Sequence, residues 1–307
     1  MHTLVTGGAG FIGASLVERL LAEGHTVDVV DNLSTGSISN LGEARAGAGR
    51  DLTFHQLDVR SPDVADLIAR RRPEVVWHLA AQDSSPGSPA ADAQVNVVGA
   101  LGVLEGARAA ESRKLIVASA GSVYGDLDGR GRATERDARR PSSLEAVGKH
   151  TVDAYLALFA ELDAIRFTSL VIGSVYGPRA TSGVVAAWAK CLVAGRPCTV
   201  FGDGGQVRDF VFVDDVVDAL ARAADSADGA FVNVATGVGT TLLELHEHMV
   251  ALSGDSPALR QAPARPGEPY RMVLDPTRAA EELGWQAWTP LAEGLTTVLE
   301  AAATLRA

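Results

Sequence analysis

The sequence predicts an α/β protein whose core is a doubly wound parallel sheet, with a smaller lobe built from its C-terminal part. Two observations predict it. Through the first half, short runs rich in valine, isoleucine and leucine alternate with stretches of helical periodicity. Those runs are apolar at successive positions, not at every second one, as in strands covered by helices on both faces.

Residues 3–6 form the first strand and 11–23 the first helix, with Leu16, Leu20 and Leu21 on one face. Residues 26–31 form the second strand. After a loop rich in glycine and serine come a strand at 52–57, a helix at 63–71 and a strand at 75–79. A long helix is expected over 94–110, a strand over 115–118, a helix over 146–161 and a strand over 168–172. Beyond residue 173 the pattern loosens into helices at 183–194, 213–224 and 242–252, separated by segments containing glycine and proline. The proline-rich stretch 257–276, with Arg260, Arg265 and Arg271, reads as irregular. The expected division is 1–172 for the sheet domain and 173–307 for the smaller lobe, some of whose segments return to the sheet.

A chain of 307 residues suits one large domain or two intimately joined ones. At 47% hydrophobic and 21% charged residues it has the composition of an ordinary globular protein, which excludes disorder as its main state. The net charge of −11 argues against a general binder of nucleic acid or anionic membranes. The two cysteines, Cys191 and Cys198, suggest no disulfide framework and no metal cluster, which fits a reducing compartment. His246 and His248 have no acidic or cysteine companions that would suggest a metal. The polar run 6–10 interrupts the first apolar stretch, so no secretory signal is expected, and no apolar run approaches the roughly 20 residues of a membrane span. The expected location is the cytoplasm.

The most specific local signal is Thr6-Gly7-Gly8-Ala9-Gly10-Phe11-Ile12-Gly13, which directly follows the first strand and opens a helix. Glycines there permit a tight turn and the close approach of a pyrophosphate, whose charge faces the helix N-terminus. Asp31 ends the second strand, where an acidic residue grips a ribose 2′-hydroxyl. A carboxylate at that place repels a 2′-phosphate, and no arginine lies between Gly24 and Gly42, so NAD is expected over NADP.

Further motifs carry a resemblance that runs nearly end to end. They include Asp31-Asn32-Leu33-Ser34, Asp58-Val59-Arg60, His78-Leu79-Ala80-Ala81-Gln82 and Val95-Asn96-Val97. Ser122-Val123-Tyr124-Gly125, Val175-Tyr176-Gly177-Pro178-Arg179, Phe201-Gly202-Asp203-Gly204, Arg208-Asp209-Phe210-Val211, Arg265-Pro266-Gly267-Glu268 and Leu283-Gly284-Trp285 follow. In this order they resemble the extended short-chain dehydrogenase/reductases, specifically the NAD-dependent nucleotide-sugar epimerases and dehydratases such as the UDP-glucose 4-epimerases. The resemblance implies a Rossmann domain that holds NAD with Gly7, Gly10, Phe11, Ile12, Gly13, Asp31, Asn32, Ser34, Asp58, Val59, Leu79, Ala80, Ala81, Asn96 and Lys149. It implies Arg208 and Arg265 on the diphosphate of a UDP- or dTDP-sugar, a role that suits the forked guanidinium. It also implies a homodimer joined through helices 94–110 and 146–161, the second of which carries Val152, Tyr155, Leu156, Phe159 and Leu162.

Three departures surround the reacting centre. The family's Tyr-x-x-x-Lys pair appears here as Glu145 and Lys149. The assisting Ser or Thr position is Ala120, with Ser119 and Ser122 nearby, and the next two positions, an acid/base pair in sugar 4,6-dehydratases, are Gly121 and Ser122. Ser174 stands where the family usually offers asparagine to the diphosphate. Glu145 has two readings, an i, i+4 ion pair with Lys149 that stabilises the helix by a few tenths of a kcal/mol, or a general base. Tyr124 reads as a packing residue and His150 as a surface or interface histidine. Asp83, Ser84 and Ser85 follow the fourth strand at the edge where such folds bind ligands. Ser84 is a candidate for the substrate, and Asp83 is a substitute acid or a solvated carboxylate.

Three functions follow: an NAD-dependent nucleotide-sugar enzyme with an altered acid/base set, a silent paralogue that binds NAD and nucleotide sugar, or a scaffold moved to a specialised-metabolite substrate. The candidate catalytic residues are Lys149, Glu145, Ser122 and Ser119.

Overall fold

The computed structural model describes residues 1–82, 87–127, 129–162, 165–254, 257–265 and 267–304. The first part supplies β1 (His2–Thr6), β2 (Thr26–Asp31), β3 (Leu52–Gln56), β4 (Val75–His78), β5 (Lys114–Ala120) and β6 (Phe167–Ile172). Between them run α1 (Phe11–Ala22), α2 (Gly42–Ala48), α3 (Pro62–Arg71), α4 (Pro89–Ala93), α5 (Ala100–Ala109) and α6 (Leu144–Glu161). The C-terminal part adds β7 (Ser174–Tyr176), α7 (Val184–Val193), β8 (Cys198–Phe201), β9 (Val207–Arg208), β10 (Phe210–Phe212), α8 (Val213–Arg222) and β11 (Ala230–Val234). It continues with β12 (Thr240–Thr241), α9 (Leu242–Ser253), β13 (Leu259–Ala262), β14 (Arg271–Met272), α10 (Thr277–Leu283) and α11 (Leu291–Thr304).

The main sheet has seven parallel strands in the order β11-β6-β5-β4-β1-β2-β3. The reversal between β1 and β4 opens a crevice at the strands' C-terminal ends, the place where doubly wound sheets bind ligands. β11 comes back from the C-terminal part to lie beside β6. Leu4, Val5, Val29, Val76 and Ile116 are fully buried, as consecutive apolar strand residues between two helical layers must be. Trp77 fixes the stacking of one layer, because its indole N–H donates to Leu220 O of α8 at 2.9 Å.

Local chemistry accounts for the element ends. Ser61 caps α3 by accepting from Asp63 N, with Pro62 in the first turn where its missing N–H costs nothing. Ser143 caps α6 by accepting from Ala146 N at 3.1 Å. Thr241 and Glu244 form a reciprocal capping box on α9.

Two expectations are corrected. The single helix expected over 94–110 is a wider π turn over Gln94–Gly99 followed by α5, with α4 leading into it. Asn96 in that turn reaches out to clamp the backbone of Gln82, accepting from its N and donating to its O, both at 2.9 Å. The stretch 257–276 is not irregular throughout: it contains two short strands, β13 paired with β8 and β14 with β9, edges that only the folded lobe supplies. Helix 146–161, expected to carry more apolar surface than one sheet face can cover, divides that surface between two sides. Val152 and Leu156 are buried in the core under the sheet, while Val147, Tyr155, Leu158 and Leu162 face outward with Val98 of the π turn.

Among the described residues no helix is long and apolar enough to cross a membrane.

Candidate active site

The glycine loop after β1 folds onto the chain leaving β4. Gly7 has φ +72°, and a Cβ there would stand 2.6 Å from Ala80 N; one on Gly13 would stand 2.1 Å from Gly7 O. Both positions therefore exclude any side chain. Asp31, 8% exposed, braces the loop by accepting from Ala9 N at 3.0 Å and Leu33 N at 2.7 Å. The first turn of α1, Phe11, Ile12 and Gly13, has backbone donors without intrahelical partners, where an anion is favoured. The phenyl ring of Phe11 itself lines a separate cleft with Arg179 and Trp288, and Ile12 packs on the core.

A cleft of about 390 Å³ runs along this loop, lined by the predicted Gly7, Gly10, Asp31, Asn32, Ser34, Val59, Leu79, Ala80 and Ala81. Arg60 lines it as well. This residue escaped the comparison of NAD with NADP, because it comes from the exit of β3, not from the segment after β2. Its charge is already engaged: Asp58 accepts from its Nε at 2.8 Å and Nη2 at 2.7 Å, and from Asn32 Nδ2 at 2.7 Å. The Arg60 guanidinium holds the Asp58 carboxyl well below the usual range. Asp58 thus stands beside the cleft and not on its wall, and Asn96 serves it through the Gln82 backbone.

A second cavity, of about 480 Å³, gathers four predicted residues from distant parts of the chain: Glu145, Ser174, Arg208 and Arg265. Ser174 enters through β7, whose N–H donates to Asp209 O at 2.7 Å. Asp209 is fully buried and accepts from Thr236, Gly237 and Leu274, which fixes Arg208 beside it. Arg208 donates through Nη2 to Glu268 at 2.7 Å and through Nη1 to Val207 O at 2.9 Å. Arg265 lies over the Phe201 ring, 3.9 Å from its centre. Glu268 shares this wall; its signal was present in the Arg265-Pro266-Gly267-Glu268 motif, although only the fold turns it onto Arg208.

Glu145 lies in the first turn of α6, half-buried on the cavity wall. Lys149, one turn on, is 7% exposed and donates from Nζ to Ala118 O at 2.7 Å. Burial pushes the Lys149 ammonium down from its ordinary value, while the carboxylates of Glu145, Asp153 and Asp92 push back. Beneath the helix, Asp153 accepts from Ser119 Oγ at 3.0 Å, from Ser169 Oγ at 2.6 Å and from Arg139. Ser119 therefore belongs to a buried network and does not line either cavity. Ser122 sits half-buried in the turn Gly121–Tyr124, also away from both walls. Ser84, with Asp83 and Ser85, lies outside the described residues.

Neither Tyr124 nor Tyr176 turns a free hydroxyl to these walls. Tyr124 is fully buried and donates to Asn233 Oδ1 at 2.9 Å; Tyr176 lines the second cavity but turns its hydroxyl to Leu291 O at 3.4 Å. Burial pushes both phenols up, so both stay protonated at neutral pH.

The profile of the NAD-dependent epimerase/dehydratase family matches residues 3–235. The chain belongs to this family. A UDP-glucose 4-epimerase of Mycolicibacterium smegmatis is 42% identical over 98% of both chains. The structure of UDP-glucose 4-epimerase with UDP-glucose from Thermotoga maritima superposes with a TM-score of 0.94 at 35% identity, covering 100% of each chain. The Thermus thermophilus UDP-glucose 4-epimerase complex with NAD gives 0.91 at 36% identity, over 98% of this chain and 99% of that one. As a member of the family the protein is an NAD-dependent enzyme, and its own residues fit the cofactor: a loop too tight for side chains, open backbone donors at the start of α1 and the Asp31 carboxylate on the cleft wall.

Proposed function

We propose that the protein is a nucleotide-sugar epimerase of the UDP-hexose type, with Glu145 as its proton acceptor. One observation carries the reading: Glu145 shares a wall with Arg208, Arg265 and Ser174, one helical turn before Lys149. NAD, bound in the neighbouring cleft, supplies the hydride acceptor. Arg208 and Arg265 hold the diphosphate by charge-assisted hydrogen bonds. Their prior engagement with Glu268 and Phe201 keeps the two side chains ordered before the ligand arrives. Glu145 takes the proton from the sugar hydroxyl that is oxidised and returns it when the hydroxyl re-forms. Lys149, anchored on Ala118 O, supplies a buried donor beside the nicotinamide ribose.

A carboxylate is a weaker base than a phenolate, so the expected turnover is slow for the family. Dehydration is disfavoured, because Gly121 and Ser122 offer no acid/base pair where dehydratases need one.

Dimerisation through the π turn, α5 and α6 fits the outward apolar stripe of Val98, Val147, Tyr155, Leu158 and Leu162, the last 67% exposed. Sedimentation at micromolar protein is expected to give a dimer, and Leu158→Glu to give a monomer.

The deciding experiment is a single turnover of stoichiometric protein with NAD and a set of UDP- and dTDP-sugars, following absorbance at 340 nm and product mass. Hydride transfer that Glu145→Gln abolishes supports the assignment. Tight sugar-nucleotide binding without NADH or product supports a silent paralogue, a reading favoured by the locked hydroxyls of Tyr124 and Tyr176.

A further inference from the structure

The Lys149 ammonium is buried, and its Nζ donates to Ala118 O of β5 at 2.7 Å. A carbonyl supplies a dipole and no charge, so burial works against the protonated amine unless carboxylates offset it. Glu145, Asp153 and Asp92 do so. Their surroundings differ. Glu145 stands on the cavity wall, where the proposed chemistry protonates it and removes its charge in every turnover. Asp92 of α4 accepts from Asn96 Nδ2 at 3.0 Å. Asp153, one turn beyond Lys149 on α6, is buried and lines neither cleft. It accepts from Ser119 Oγ of β5 at 3.0 Å, from Ser169 Oγ of β6 at 2.6 Å and from Arg139. Ser119 directly follows Ala118, so two consecutive residues of β5 seat the lysine and the aspartate of one helix. On the neighbouring elements, His78 of β4 is kept neutral by its burial and Tyr124 in the turn after β5 stays protonated. Lys114, at the far end of β5, is paired with Asp228.

We propose that Asp153 is a positioning residue for Lys149: held by two strands and Arg139 and shut off from the cavity, its carboxylate keeps the lysine charged through a reaction in which Glu145 gains and loses a proton. The inference rests on the proposed roles of Lys149 at the nicotinamide ribose and of Glu145 as proton acceptor. The charge of Glu145 alternates during turnover, whereas Asp153 meets neither substrate nor cofactor. Its field on the ammonium is therefore the same in both halves of the reaction. Without it, protonation of Glu145 would leave a buried amine short of anionic support just when the cofactor is reduced, and a neutral amine gives the ribose a weaker hydrogen bond than an ammonium does.

The test is the affinity for NADH, read by its fluorescence between pH 6 and 10, of the parent and of Glu145→Gln, Asp153→Asn and Glu145→Gln/Asp153→Asn proteins. Glu145→Gln reproduces the uncharged state that Glu145 reaches in turnover, and at pH 7.5 it is expected to bind NADH within about threefold of the parent. The double variant is expected to bind at least about tenfold more weakly at pH 7.5 and to recover at pH 6, where the amine regains its proton. In Asp153→Asn alone, the fall in affinity with rising pH should begin at least about one pH unit below that of the parent. A double variant that follows Glu145→Gln at every pH would overturn the proposal, and so would a loss of equal size at pH 6 and pH 7.5, which is the mark of a purely structural role. Should the proteins without Asp153 fail to fold, Glu145→Gln/Arg139→Gln decides. Taking the cation off the Asp153 carboxylate should move the fall of Glu145→Gln upward by at least about half a pH unit, and an unmoved or lowered fall would overturn the proposal. Lys149→Met that binds NADH as tightly as the parent would instead remove Lys149 from the cofactor, and the proposal with it.

Discussion

Glu145 and Lys149 stand one turn apart on α6, yet they serve different compartments. The carboxylate lies on the wall of the cavity with the two arginines, while the ammonium is buried against the carbonyl oxygen of Ala118, 2.7 Å away. The i, i+4 spacing allows a surface ion pair, but that geometry needs both groups free to meet in solvent. Here the lysine is committed to β5, and the Glu145 carboxylate favours its charged form against the effect of burial.

Replacing Glu145 by glutamine is expected to reduce kcat by about 10²- to 10⁴-fold, the usual span for losing a general base, with the affinity for NAD unchanged. Lys149→Met should reduce kcat and weaken NAD binding together, as follows from its proposed role at the nicotinamide ribose. Single-turnover rates and cofactor titration separate the two outcomes.

Ser119→Ala should behave as a stability variant. Its hydroxyl is one of three donors to the buried Asp153, and removing it is expected to cost about 1 kcal/mol in urea unfolding while leaving kcat within a factor of about three. Asp153→Ala should cost about 3–5 kcal/mol, because Arg139 would then keep a buried charge without its partner. A large loss of kcat in stably folded Ser119→Ala protein would return this serine to the catalytic set.

Gly13→Ala should fold poorly and lose NAD. The added methyl would meet Gly7 O at 2.1 Å and Gly8 Cα at 2.8 Å, both backbone atoms that cannot swing aside. Gly7→Ala adds positive φ to a similar clash with Ala80. Cofactor titration is expected to show at least a tenfold loss for each, and thermal unfolding a lower midpoint.

His78 sets an acid limit. Complete burial, with the Lys149 charge adding to it, pushes its pKa down to about 3, and its Nδ1 stands 2.8 Å from Thr6 Oγ1. Between about pH 6.5 and 3 the unfolded chain binds a proton at this histidine and the folded chain does not. Stability from this group is therefore fully present above the unfolded pKa and falls as pH drops through that window, by on the order of 1 kcal/mol per pH unit. Urea unfolding at pH 7 and pH 5 should show the loss, and His78→Gln should flatten it.

Much of the site could be read from local sequence wherever its parts are contiguous. The glycine loop, the strand before it, the helix after it and Asp31 span about thirty residues, and their spacing alone specifies a turn that admits a pyrophosphate. The lobe was less legible for the opposite reason. β13 and β14 have no periodicity of their own and exist because β8 and β9 offer them unpaired edges. The two sides of α6 are likewise not separable in the sequence, since Val152 and Tyr155 are both apolar there and only packing against the sheet distinguishes them.

By itself the sequence determined the doubly wound class and the glycine loop after the first strand, because each depends on residues close together in the chain and on steric rules that act locally. Only the tertiary structure decided that Ser119 belongs to Asp153, that Arg60 enters the dinucleotide cleft already neutralised by Asp58, and that Glu145, Ser174, Arg208 and Arg265 share one wall. Those relations join segments up to 120 residues apart, and the partner a polar side chain finds there is set by which backbone the folded core brings within hydrogen-bonding distance.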